Sequence, residues 1–182
     1  YRNEEWFKRL SGVWFMCKGV PTYITGLHYM YLNWWKIDIG YPHYRDSDRR
    51  TWLYWQWCVE NSDSYGLIEC TRRRSGKTAR AALAAFDPPS RMFNVQSGIQ
   101  SKTRDDAKSF FTKVIGSFKH LPDFFIPTYD YKKIQSTLGF RHPGNAQKLN
   151  KKARELNSDL TFKSSDNLAY DSQKLIRYIR DE

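Results

Sequence analysis

The sequence predicts an α/β fold with a central, mainly parallel sheet, and three observations predict it. A short apolar stretch, Tyr65-Gly66-Leu67-Ile68-Glu69-Cys70, runs into a turn ending in Gly76-Lys77-Thr78, and the alanine-rich segment Ala79 to Phe86 follows. Downstream, strand-like stretches alternate with a long segment of helical period, the pattern of strands joined by crossover helices. Ahead of both, aromatic residues crowd the first third of the chain without a regular spacing. The expected division is an aromatic-rich extension over residues 1–43, packed on an α/β core over residues 44–182.

Taken in order, the first forty residues read as irregular, with short strands broken by turns at Pro21 and Gly26. The aromatics there include Trp6, Phe7, Trp14, Phe15, Tyr23, Trp34 and Trp35, interleaved with Lys8, Arg9 and Lys36. Such a mixture can stack nucleic-acid bases, but scattered aromatics without a platform read better as a packed layer. Residues 44–60 read as a helix, with Trp52, Leu53, Trp55 and Trp57 at helical spacing on adjoining faces. A strand over 65–70, the turn, and a helix over 77–86 come next, ended by Pro88-Pro89. Met92 to Gly98 predicts a second strand. Ser101 is the expected cap of a helix over about 103–119, whose apolar face is Ala107, Phe110, Phe111, Val114, Ile115 and Phe118. Tyr131–Arg141 and Ser158–Lys163 read as short strands, paired as a hairpin. Between them Arg141–Arg154 is basic, and reads either as a DNA-facing loop or as a solvated one. Leu175–Arg180 is the last predicted strand.

The turn Thr71-Arg72-Arg73-Arg74-Ser75-Gly76-Lys77-Thr78 carries the chemistry. Strand, tight turn ending in Gly-Lys-Thr, then helix is the layout of a phosphate-binding P-loop. Backbone N–H groups of the turn and of the helix N-terminus form an anion cradle. Lys77 is placed to reach the β- and γ-phosphates of ATP, and the Thr78 hydroxyl to bind Mg2+. Thr71 stands where the usual pattern has its first glycine, and three arginines fill the loop. Hydrolysis also needs carboxylates at the end of a neighbouring strand, and Asp181-Glu182 supplies them. Asp181 is the expected Mg2+ residue, acting through the ion's water shell, and Glu182 the base that orients and deprotonates the attacking water. Arg177 and Arg180 interrupt what is normally a wholly apolar strand. The segment Tyr44-Arg45-Asp46-Ser47-Asp48 lies where ATPases often grip adenine.

Bulk properties bound the partners. Among 182 residues, 30 Lys and Arg face 19 Asp and Glu, a formal charge of +11 that favours a polyanionic partner, nucleic acid first and anionic membrane second. No run approaches the ~20 apolar residues of a membrane span. The histidines His28, His43, His120 and His142 lack metal-ligand spacing, which argues against zinc. Cys17, Cys58 and Cys70 form no Cys-x-x-Cys pair and sit among apolar neighbours, so reduced, buried thiols in a cytosolic setting are expected. Opening at Tyr1 and stopping at Asp181-Glu182, the sequence reads as a piece of something longer.

Together these pieces resemble the ATPase domain of a large terminase subunit, the DNA-packaging motor of tailed bacteriophages. The residues that carry the resemblance are Thr71 to Thr78, Tyr44-Arg45-Asp46, Asn94-Val95-Gln96-Ser97 with Lys102-Thr103-Arg104-Asp105-Asp106-Ala107, and Asn167-Leu168-Ala169-Tyr170-Asp171 leading into Tyr178-Ile179-Arg180-Asp181-Glu182. Pro21 to Tyr29 is similar to terminases of large Bacteroides-type phages. The resemblance implies an additional-strand P-loop NTPase fold, assembled as a pentameric ring on the portal protein of an empty capsid with a small terminase subunit as partner. It implies ATP hydrolysis that drives double-stranded DNA inward, in the host cytoplasm and transiently at the procapsid. Arg72 matches the family's functional loop arginine, a candidate γ-phosphate contact. Asp48 falls where many terminases carry a glutamine for adenine; it accepts from the N6 amino group but cannot donate to N7. The family's coupling motif and nuclease domain lie beyond Glu182. The alternatives are a helicase-like DNA-dependent ATPase and a non-enzymatic basic DNA-binding module.

Overall fold

A computed structural model describes residues 1–143, 155–165 and 169–181. The chain divides into two compact units, Tyr1–Lys77 and Thr78–Glu182. The division therefore falls inside the Gly-Lys-Thr turn, whereas the sequence suggests a boundary at residue 43.

The first unit opens with helix α1 (Arg2–Ser11), a hairpin of β1 (Val13–Cys17) and β2 (Val20–Ile24), and helix α2 (Gly26–Asn33). These two helices replace the irregular segment expected. The hairpin register runs from Val13 opposite Ile24 to Cys17 opposite Val20. Its two-residue turn, Lys18-Gly19, has φ 49 and φ 80, the positive values that match a tight hairpin to the strand twist. Pro21 lies within β2 instead of making the turn. Thr25 caps α2 by accepting from the His28 N–H at 3.2 Å. Gly26 is required by packing: a Cβ there would stand 1.9 Å from the Arg9 carbonyl oxygen of α1. Between these helices the buried Glu5 carboxylate accepts from Tyr29 Oη at 2.5 Å and from Trp34 Nε1 at 3.1 Å. Helix α3 (Asp46–Glu60) appears where its periodicity placed it, with Trp52 buried and its ring 5.8 Å from that of Tyr31.

Tyr65–Cys70 is not a strand. A strand exists through its ladder, and among the described residues no strand pairs with this segment. Gly66 at φ 146 breaks the run, and Ile68 is 90% exposed. Cys70, on the same segment, is exposed, and Cys17 and Cys58 are half-buried. The three thiols are free, but the buried setting expected of them is not found.

The second unit holds α4 (Lys77–Phe86), β3 (Gln96–Ser101), α5 (Arg104–Phe118), β4 (Thr137–Phe140), β5 (Ser158–Ser164) and β6 (Arg177–Asp181), with a 3-10 turn at Asp123–Phe125. The sheet order is β4-β5-β3-β6; β3 runs parallel to β5 and β6, and β4 pairs antiparallel with β5. This is an α/β unit on a mixed, mainly parallel four-stranded sheet. Its core is aromatic: Phe86 meets Phe118 at 5.8 Å and Phe140 at 6.0 Å, and Phe111 meets Phe162 at 5.0 Å. The β3 strand starts at Gln96 and not at Met92, because Asn94 at φ 55 leaves the extended region. Ser101 ends β3, and the cap of α5 is Thr103, whose hydroxyl accepts from the Asp106 N–H at 3.1 Å. No described helix is long and apolar enough to cross a membrane.

Candidate functional site

The loop from Thr71 to Thr78 is closed on itself. Thr71 Oγ1 and Ser75 Oγ lie 2.7 Å apart, either hydroxyl donating, and Lys77 Nζ donates to the Thr71 carbonyl oxygen at 3.1 Å. The residue in the place of the usual first glycine thus bridges the loop by side chain and backbone. Arg74 takes φ 63 and Gly76 φ 86, so two of its residues occupy the left-handed region. For arginine that conformation is uncommon and stores strain. Arg72, Arg73 and Arg74 are exposed, while Ser75, Gly76, Lys77 and Thr78 are half-buried.

Lys77 opens α4, a helix of 10 residues with no acidic side chain in its first turn. The first N–H groups of a helix have no partner within it, and with the positive end of the dipole they favour an anion there. The loop sets an ammonium and three guanidinium groups beside that helix start, a chemistry suited to a phosphate. The Lys77 ammonium, already pointed back across the loop, needs only to exchange a carbonyl oxygen for a phosphate oxygen.

The strand β6 ends on the candidate metal carboxylate. Alternation along it puts Arg177, Ile179 and Asp181 on one face and Tyr178 and Arg180 on the other. In the parallel register Asp181 stands beside Ser101, which in turn stands beside Ser164. Three strand ends therefore present a row of oxygen side chains at the carboxyl edge of the sheet, where open α/β sheets bind ligands. Sequence reading missed this row because only the strand pairing aligns residues so far apart in sequence. Arg177 is the oddity at the other end of β6. Burial pushes its guanidinium below its ordinary value, and the nearby Asp87 carboxylate opposes that while Arg91 adds to it. Asp87 is itself buried and accepts from Arg91 Nε at 2.7 Å. An arginine in this strand is tolerated because it enters next to a buried carboxylate.

Mg2+ takes hard oxygen ligands and keeps several waters, so it needs few protein groups. The Thr78 hydroxyl in the first turn of α4 and the half-buried Asp181 carboxylate, both of the second unit, have the chemistry it requires. Glu182, the expected base, lies outside the described residues, as do Asn167, Leu168 and residues 144–154 of the basic segment.

The expected adenine segment belongs to the first unit. The Tyr44 ring stacks on His28 at 5.7 Å and meets the edge of Phe15 at 5.4 Å. Burial raises its phenol, with the Asp46 carboxylate adding to it. Arg45 is exposed at the start of α3, whereas Asp48 is buried in the first turn. Tyr44 and Asp48 are thus engaged in the packing of their own unit, and only Arg45 is displayed. Comparison with protein-family models, with curated proteins and with solved structures returns no match for this chain.

Proposed function

We propose that this chain is the ATP-hydrolysing module of a DNA-packaging motor of the large-terminase type, a P-loop NTPase that translocates double-stranded DNA. The observation that carries the reading is the Thr71–Thr78 loop, in which Lys77 bridges to the Thr71 carbonyl at the N-terminus of α4. A mainly parallel sheet whose strand β6 ends at Asp181 supports it.

In this reading the turn and the first N–H groups of α4 hold the phosphates, and Lys77 moves its hydrogen bond from Thr71 to the β- and γ-phosphate oxygens. Arg72 contacts the γ-phosphate, with Arg73 and Arg74 supplying further positive charge; of the expected adenine residues only Arg45 is exposed, Tyr44 and Asp48 being taken up in the packing of their own unit. Thr78 and Asp181 would hold Mg2+, Asp181 through its water shell, and the ion would supply positive charge against the phosphates. Glu182 orients the attacking water and takes its proton. The DNA, the portal protein, the small terminase subunit and the pentameric ring follow from the resemblance and from the +11 charge.

Thermal-shift titration with Mg·ATP tests the reading. A ligand that binds only the folded chain stabilises it by mass action, by about 2.7 kcal/mol at 100 times its Kd. The wild-type chain is expected to shift upward and Lys77→Ala not to shift. That Tyr65–Cys70 joins no sheet among the described residues favours a second reading, a basic DNA-binding module whose turn takes no nucleotide. No shift at millimolar ATP with duplex binding retained establishes that second reading.

A further inference from the structure

Because β3, β5 and β6 are parallel, their first residues gather at the edge of the sheet opposite Ser101, Ser164 and Asp181. At that edge lies an open cleft of about 470 Å3, lined by Asn94, Gln96, Asn157, Ser172, Gln173 and Lys174. Strands of this length put it about 15 Å from Asp181.

Two of its walls are set by unusual backbone. Asn94 at φ 55 precedes β3 and Asn157 at φ 51 precedes β5, and asparagine is among the few residues that enter this region readily. The two are locked together: Asn157 Nδ2 donates to Asn94 Oδ1 at 3.0 Å, and the Asn94 N–H donates to the Leu156 carbonyl at 2.8 Å. An amide-to-amide bond engages one of the two NH2 groups, so the other keeps both donors for a third party.

Among the described residues the lining is four carboxamides, one hydroxyl and one ammonium, without a carboxylate or an aromatic ring. Asp159, two residues beyond Asn157, is taken by Arg141. Amide, hydroxyl and lysine side chains are the groups that bind phosphate oxygens along a nucleic-acid backbone. Without an aromatic ring the cleft cannot stack a base. Among the described residues the lining holds one cation, which matches one singly charged phosphodiester, whereas a nucleoside triphosphate calls for several.

We infer that this cleft holds one phosphodiester group of duplex DNA. The inference rests on the DNA partner of the reading above and is independent of hydrolysis. It places a DNA contact and the candidate carboxylate at opposite ends of the same strands.

The test is anisotropy of a labelled duplex oligonucleotide with the whole chain, without nucleotide, over a NaCl series. Each neutralised phosphate adds about 0.9 to the slope of log K against log salt. Lys174→Ala is expected to weaken binding several-fold and to reduce that slope by about 0.9, while Gln173→Ala weakens binding with the slope kept. Lys113→Ala, which removes an exposed lysine from α5, is expected to leave the slope unchanged. An unchanged slope for Lys174→Ala, or an equal loss for Lys113→Ala, overturns the proposal. So does Lys174-dependent binding of millimolar inorganic phosphate that leaves duplex binding untouched, which makes the cleft a free-phosphate site. A wild-type chain that binds no duplex removes the DNA partner and the cleft together. Duplex binding without Mg·ATP stabilisation removes only the ATPase.

Discussion

Glu5 shows how a single residue organises the first unit. Glu5 is 3% exposed, and burial pushes its pKa up. Hydrogen bonds from Tyr29, Lys8 and Trp34 outweigh that push and leave it below the ordinary carboxylate value of 4.5. A depressed folded-state pKa means stability that is present above 4.5 and lost as pH falls through the folded value. Tyr29, pushed up to about 12 by burial and by the same carboxylate, stays a neutral donor throughout. Tyr29→Phe is therefore expected to cost about 2 kcal/mol at pH 7, the scale of a hydrogen bond to a charged group. Denaturant unfolding at pH 7 and pH 3 checks it: the deficit narrows at the lower pH, and a constant deficit refutes the assignment. In the loop, Thr71, Ser75 and Lys77 were legible as a set from their order alone. That the threonine closes the loop through its own hydroxyl and carbonyl was not, since a bond across the turn depends on its folded path.

At the scale of elements, local signals did most of the work. Helices α3, α4 and α5 lie where periodicity, Pro88-Pro89 and the Gly-Lys-Thr turn put them. The α5 cap differs by two residues because Thr103, and not Ser101, turns extended while its hydroxyl accepts from Asp106 N–H and donates to the Asp106 carboxylate at 2.7 Å. Removing that cap by Thr103→Ala is expected to cost about 1 kcal/mol. Equilibrium unfolding measures it; a cost below about 0.3 kcal/mol would mean the cap contributes nothing to the fold. Strands were less legible. Tyr65–Cys70 has the composition of a strand and no ladder among the described residues, while α1 and α2 were hidden under aromatic residues that favour neither period. Glycine shows the same limit: Gly98 is demanded by Leu175 and Tyr170, whose atoms lie 2.7 and 2.8 Å from where its Cβ would stand. Nothing local to Gly98 announces those partners.

For the whole molecule the governing fact is charge. A net +11 on 182 residues repels itself, and the repulsion is weaker in the expanded chain than in the folded one. Raising salt from about 10 mM to about 150 mM shortens the screening length from roughly 30 Å to roughly 8 Å. The melting temperature is expected to rise over that range; a fall would show that attractive ion pairs dominate. The ion pairs of α1 and α3, Lys8 with Glu4 and Arg50 with Asp46, are local and at least partly exposed, and so contribute little against the net term. The sequence by itself determined the α/β class, the three long helices, the Gly-Lys-Thr turn that opens α4 and the excess of positive charge. Each of these is written in period, turn residues or charge, which are local or additive. Only the tertiary structure decided that β3 lies between β5 and β6, that Ser101, Ser164 and Asp181 form one row, and that Asn94 and Asn157 close a polar cleft at the other end. Those facts belong to strand register, and register is fixed by pairing between residues 63 or 80 positions apart, which no stretch of sequence holds alone.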